Sequence, residues 1–176
     1  MLLHFIRHGQ TDFNIGRRLQ GVGIDEPLNE TGEKQIAELV PQLPKDFGVI
    51  FSSPLKRTLM SAEMIARATG KTIVIRSEVA ERDFGSLAGK TWEEIPDGAQ
   101  LRERDRLLQY DYRPYGGECV QDVEKRLKQF LDYAKGTGYA AAIAVSSMGV
   151  IRLAYKLLRN EHVLEIRNAS VHSFTT

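Results

Sequence analysis

Three short segments concentrate nucleophilic and anion-binding side chains: Arg7-His8-Gly9, Ser52-Ser53-Pro54 with Arg57 just beyond, and Ser146-Ser147-Met148-Gly149. Each follows an apolar run that reads as a strand, so each stands where a strand hands over to the next element. In a parallel sheet, ligands bind at those strand ends. Arginines beside a helix N-terminus suit phosphate, because the guanidinium fork and the amide dipoles favour the same anion. A histidine among them is kept neutral by its positive neighbours, and a neutral imidazole retains the lone pair a nucleophile needs. Gly9 is expected to let a ligand approach the backbone closely. Taken singly, an Arg-His pair at a strand end is usually solvent-facing, and Arg57 would be a surface residue. Only the joint pattern carries the phosphate chemistry.

Those segments need a scaffold, and the hydrophobic patterning supplies one. Leu2–Ile6, Gly48–Phe51, Thr72–Ile75 and Tyr139–Val145 read as strands, with Ala169–Phe174 as a last one. Between them lie helical patterns. Asn29 caps the first, with Glu30 and Glu33 in its first turn and Ile36, Leu39, Val40 and Leu43 as its stripe. Ser53-Pro54 reads as the N-cap and first residue of a helix ending before Gly70. Glu118–Ala134 carries Val123, Leu127 and Phe130 on one side, and Gly149–Leu158 follows the buried fourth strand. Gln10–Pro27 reads as a polar, glycine-bearing connection. The stretch from 81 to 117, with its charge run Arg102–Arg106, predicts one or two helices, and residues 85–117 form an excursion over the strand ends. Alternation of strand and helix predicts an α/β fold: a three-layer sandwich, with a mostly parallel central sheet between helices.

The chain has 176 residues, enough for one domain spanning 1–176. Lys plus Arg number 24 against 23 Asp plus Glu, which excludes the basic surface of a dedicated nucleic-acid binder. Cys119 is the single cysteine, so no internal disulfide forms, and no Cys/His cluster has zinc-site spacing. The longest apolar run is too short to span a bilayer, and charge interrupts MLLHFIRHG too soon for a secretory signal. The expectation is a cytoplasmic protein, monomer or homodimer, with no metal, no cofactor, no membrane and no nucleic-acid partner.

The segments IRHGQTDFN, RRLQGVGIDEPLNETG, FSSPLKRTLMSAEMIA, AERDFGSLAG, YGGECVQDV and AVSSMGVIR resemble, in order and spacing, the histidine phosphatase superfamily, which includes the cofactor-dependent phosphoglycerate mutases. The resemblance runs from Leu2 to Val171. It implies a phosphoglycerate mutase-like fold and makes His8 the nucleophile that becomes a phosphohistidine. Arg7 and Arg57 would hold the phosphoryl oxygens, and Asn14 would lend an amide. Glu81 would be the proton donor, while Gln20 and Gly21 would contact substrate beside the phosphate. One position departs from the pattern. Where the family places a second catalytic histidine, this chain has Ser147, followed by Met148 where the family tolerates a small residue. A serine hydroxyl still donates, but without charge. Charged hydrogen bonds contribute about 1.5–3 kcal/mol and neutral ones about 0.5–1.5. The deficit implies a rate loss of roughly 10- to 30-fold. His4, His162 and His172 are expected as core or surface residues, and Cys119 as an isosteric replacement for a serine.

The resemblance therefore implies a metal-independent phosphomonoester phosphatase working through His8 and impaired by Ser147. Its partner would be a small phosphomonoester or another phosphorylated ligand. A different class of reading is a pseudo-phosphatase that binds a phosphorylated ligand or protein without turnover. A phosphoglycerate mutase ranks lower, because mutases of that family have longer chains with extended substrate loops.

Overall fold

A computed structural model describes residues 1–176. Five strands form one sheet: β1 (Leu2–Arg7), β2 (Ile50–Ser52), β3 (Ile73–Ile75), β4 (Ala141–Ser146) and β5 (Val171–Thr175). Their order across the sheet is β3-β2-β4-β1-β5. The first four are parallel, and β5 runs antiparallel to β1 at the edge. Period-two alternation sends neighbouring side chains to opposite faces. Leu3, Phe5, Ala142 and Ala144 therefore join one buried cluster, while Ile6, Ala141, Ile143 and Val145 join another.

Helices cover both faces. On one side lie α2 (Glu30–Leu39) and α3 (Lys56–Thr69), which bury Ile36 and Ile65 against Ile50 and Ile143. On the other, α5 (Val120–Gly136) and α6 (Met148–Arg159) bury Phe130 and Ile151 in the cluster of Phe5 and Phe51. Phe5 and Phe51 both meet the Phe130 ring edge to face, at 6.1 and 5.3 Å. The result is the expected three-layer α/β arrangement.

Some boundaries differ from the sequence reading. Asn29 does cap α2, its side chain accepting from the Gly32 N–H at 2.9 Å. The helix stops at Leu39, however, and Val40–Gln42 tightens into a 3₁₀ turn before Leu43. Ser53-Pro54 does not open α3. Leu55 is extended and serves as its N-cap, while Asp25 accepts from the Lys56 N–H at 2.6 Å. Glu118 also lies outside its helix: Cys119 is the N-cap of α5, its N–H donating to Asp122 at 2.9 Å, and Glu118 pairs with Arg126 at 2.9 Å. The polar connection hides α1 (Asp12–Ile15), nucleated by reciprocal bonds between Thr11 and Asn14. Ala169 has a φ of 54° and precedes β5 rather than opening it. The excursion holds one α-helix, α4 (Gly98–Arg106), among several 3₁₀ turns.

Candidate active site

Parallel register brings three strand ends level. Arg7 stands opposite Ser146, and Ser52 opposite Val145. The His8 N–H extends the ladder to the Ser146 carbonyl at 3.1 Å. A cavity of about 120 Å³ opens above these ends, walled by Arg7, His8, Asn14, Arg57, Glu81 and Met148. Gln20 and Gly21 also line it. Of the residues assigned from sequence, Ser147 alone stays out of the wall.

His8 is buried and its Nδ1 lies 2.7 Å from the Gly9 carbonyl. A carbonyl only accepts, so Nδ1 carries the proton and Nε2 the lone pair. Burial first, then the Arg57 and Arg7 guanidinium groups, push the His8 pKa down to about 3. The imidazole is neutral throughout the physiological range.

Arg57 is buried beside it, donating Nη1 and Nη2 to the Ile24 and Gly21 carbonyls at 3.0 and 2.7 Å. Arg7 donates to the Ile166 carbonyl. The Nε of each arginine is buried without a protein partner. Neither pairs with a carboxylate, so both charges are available to an anion. Asn14 is oriented from two sides: its Oδ1 accepts from the Thr11 N–H at 3.1 Å and from Asn168 Nδ2 at 3.2 Å. That leaves the Asn14 Nδ2 donors uncommitted. Asn168 also donates to the His8 carbonyl at 3.0 Å, tying His8 to the Asn14 amide.

Glu81 is buried and ionised. Its Oε1 accepts from the Arg82 backbone N–H and from Arg82 Nη1, at 2.9 and 2.8 Å. Its Oε2 accepts from the Gly149 N–H at 3.2 Å, at the start of α6. Burial pushes this carboxyl up, but Arg82 and the two N–H groups outweigh it and hold the pKa at about 2. Arg82 is also held by Asp105 at 2.6 Å, and Asp105 accepts from Arg152 at 3.1 Å and from the Tyr112 hydroxyl at 2.7 Å. Ser147 is the N-cap of α6 yet makes no capping bond, and its Oγ is buried without a partner. Glu81 caps the helix instead.

The expectation for Gly9 is corrected. A Cβ there would meet the Gly32 carbonyl oxygen at 2.4 Å, so its smallness seats the loop on α2 rather than admitting a ligand. His4 bonds Ser173 at 2.8 Å, His172 lies between Tyr155 and Ser170, and His162 is exposed. None lines the cavity. Sequence reasoning missed Arg82, Asp105 and Asn168. Arg82 adjoins Glu81, but Asp105 lay inside the charge run Arg102–Arg106, where nothing in the sequence set it apart from its neighbours. No three His, Cys, Asp or Glu side chains group as a metal site, and no helix is long and apolar enough to cross a membrane.

Known proteins resemble this chain in sequence and fold. The family model "Histidine phosphatase superfamily (branch 1)" matches residues 3–176. Fructose-2,6-bisphosphatase TIGAR B of Danio rerio is 35% identical over 135 residues, covering 73% of this chain and 51% of that protein. Phosphoserine phosphatase 1 of Hydrogenobacter thermophilus is 30% identical over 151 residues, covering 82% and 69%. A crystal structure of a phosphoglycerate mutase from Thermus thermophilus superposes with a TM-score of 0.80 at 29% identity, covering 98% of this chain and 92% of that one. The chain spans about half the length of several curated relatives, 51% of the zebrafish protein and 43% of mycobacterial ones. The match over residues 3–176, nearly the whole chain, places it in branch 1 of the histidine phosphatase superfamily.

Proposed function

We propose that the chain is a phosphomonoester phosphatase that works through a phosphohistidine at His8 and is slowed by Ser147. One observation carries this reading: a buried, neutral imidazole with its Nε2 lone pair free stands between two guanidinium groups that have no carboxylate partner. In the first step Nε2 attacks phosphorus, the ester P–O bond breaks and the leaving oxygen departs with the electron pair. Arg7, Arg57 and the Asn14 amide stabilise the charge on the other oxygens. The leaving oxygen takes its proton from solvent or from a transiently protonated Glu81. Water then attacks phosphorus, the P–N bond breaks, and inorganic phosphate and neutral His8 result. Ionised Glu81 suits this second step, where it accepts the proton of the attacking water. The arginines supply the charge stabilisation, so no metal or cofactor takes part.

A binding module for a phosphorylated ligand is the second reading. It is favoured by Ser147, which brings no charge, and by a carboxyl at Glu81 that gives up its proton readily but regains it poorly. A phosphoglycerate mutase is less favoured, since its substrate adds a carboxylate. Phosphate release from a substrate panel, measured for this protein and for Ser147→His, separates the readings. Release above background by the unaltered protein supports the phosphatase; none from either protein, with vanadate still bound, supports the binding module.

A further inference from the structure

Resting on the phosphatase reading, we propose that the site selects dianionic phosphate monoesters of uncharged aromatic alcohols. The first ground is the charge of the wall. Arg82 is matched by Glu81 at 2.8 Å and Asp105 at 2.6 Å, and Arg152 shares Asp105 at 3.1 Å, so that buried group of four is neutral. Arg18, at the exposed rim, pairs with Glu94 at 2.9 Å. Arg7 and Arg57 remain, each bonded only to backbone carbonyls. Two cations match the two charges of a phosphomonoester. None is left for a carboxylate or second phosphate on the leaving group, and burying such a charge unpaired is costly.

The second ground is what faces the leaving group. Beyond the phosphate-binding groups the wall carries four apolar side chains, Leu19, Phe84, Trp92 and Met148, beside Gln20 and the charge-paired Arg18, Arg82 and Asp105. Leu19 is joined to the segment of Trp92 by paired backbone bonds with Gly89 and Lys90, at 2.7 and 2.9 Å. Phe84 and Trp92 meet edge to face at 6.4 Å, and Gly21 allows Phe84 against the loop, since a Cβ there would lie 2.8 Å from the ring. Trp92 is half-buried, which leaves indole surface for a planar group to stack upon. The third ground is proton supply. Both oxygens of Glu81 already accept hydrogen bonds, from Arg82 and from Gly149, which favours the ionised carboxylate. A leaving group that departs without prior protonation must form a stable anion. A phenol, ionising near pH 10 like tyrosine, meets that demand far better than an aliphatic alcohol.

The test measures phosphate release from 2-naphthyl phosphate, hexyl phosphate, acetyl phosphate, O-phosphoserine and 3-phosphoglycerate. In parallel, calorimetry compares binding of phenylphosphonate and phosphonoacetate, which the protein cannot hydrolyse. The expected kcat/KM for 2-naphthyl phosphate exceeds those for hexyl phosphate, O-phosphoserine and 3-phosphoglycerate by about 10-fold or more. Phenylphosphonate should bind more tightly than phosphonoacetate. Trp92→Ala should lower kcat/KM for 2-naphthyl phosphate about 10-fold more than for acetyl phosphate, which is activated but has no ring. Equal or faster turnover of the carboxylated esters overturns the proposal while leaving the phosphatase reading intact. So does a Trp92→Ala loss that is the same for both substrates. If no ester is hydrolysed, the phosphatase reading falls, and the phosphonate comparison decides the selectivity alone: tighter phosphonoacetate overturns it.

Discussion

His8 owes its chemistry to two neighbours of different kinds. The Gly9 carbonyl sets the tautomer, and the flanking guanidinium groups with burial suppress protonation. If His8 is the nucleophile, a reactive phosphodonor should leave acid-labile, base-stable label on the protein and none on His8→Ala; label surviving the substitution would assign it elsewhere. The same residue predicts a pH dependence of stability. The native pKa is depressed to about 3 from 6.5, so between those values the unfolded chain binds a proton that the native one refuses. Stability should therefore fall as pH drops from 6.5 towards 3, by on the order of 4 kcal/mol from this group. Glu81 adds a loss in the same direction, between its ordinary value of 4.5 and about 2. Chemical denaturation of the wild type and His8→Asn across this range reads the difference, and parallel curves would show that His8 is not held neutral. Asn168 is a positioning residue. Asn168→Ala removes the donor shared by Asn14 Oδ1 and the His8 carbonyl, at a cost of about 1–3 kcal/mol. Vanadate affinity and kcat/KM should both fall while the pH profile keeps its shape. Unchanged vanadate affinity would mean Thr11 alone orients the Asn14 amide.

At the scale of the element, the phosphatase reading makes the N-terminus of α6 the place where a phosphoryl group in transit is stabilised. Ser147 contributes a buried hydroxyl without a partner, while the Gly149 N–H is already used by Glu81. Introducing a positive charge at position 147 should act on the transition state more than on ground-state phosphate, and so on kcat. Met148 lines the cavity and would crowd a new imidazole, so Ser147→His with Met148→Gly is the fair variant. Its kcat should rise about 10-fold, with phosphate affinity changing less. A folded double variant that releases no phosphate would move the chain to the binding-module reading. Gly149 has its own constraint. A Cβ there would lie 1.8 Å from Arg82 Nη1 and 2.4 Å from Glu81 Oε1. Gly149→Ala should force apart a buried ion pair, destabilising the fold by about 3 kcal/mol in urea unfolding. An unaltered midpoint would show that the pair yields freely.

For the whole molecule, the sheet order sets the site. Placing β4 between β1 and β2 puts Arg7, His8, Ser52 and Ser146 side by side, although they are far apart in the chain. Helices on both faces then fix the strands, and Glu81, Arg82, Phe84, Trp92 and Asp105 supply part of the cavity wall at their ends. An anion bridging Arg7 and Arg57 would link strand β1 to helix α3, so binding should stabilise the entire fold. Vanadate at a hundred times its dissociation constant should add about 2.7 kcal/mol. For a chain of this size that raises Tm by roughly 5–10 °C. Variants that remove either guanidinium should lose the shift, and its persistence in Arg57→Ala would place the anion elsewhere. EDTA should change neither the shift nor any phosphate release, because the charge comes from arginine.

Much of this was legible in the chain itself, wherever the cause is local. Apolar alternation located the strands, Asn29 announced α2, and Arg7, His8 and Arg57 do line one cavity, as their spacing led one to expect. Such signals lie within a few residues of what they determine. Other features depended on groups brought together only by folding. Gly9 looked like an opening for ligand and proved to be a seat for Gly32 on a different element. Asp105, hidden in a charge run, anchors Arg82, and Arg82 in turn fixes the ionisation of Glu81. The sequence singled out Ser147, but not that its hydroxyl would be left without a partner while Glu81 capped the helix. Residue types and spacing determined which reactive groups this protein has. Their charge state and orientation depend on long-range pairing in a buried, low-dielectric setting, and only the tertiary structure decided those.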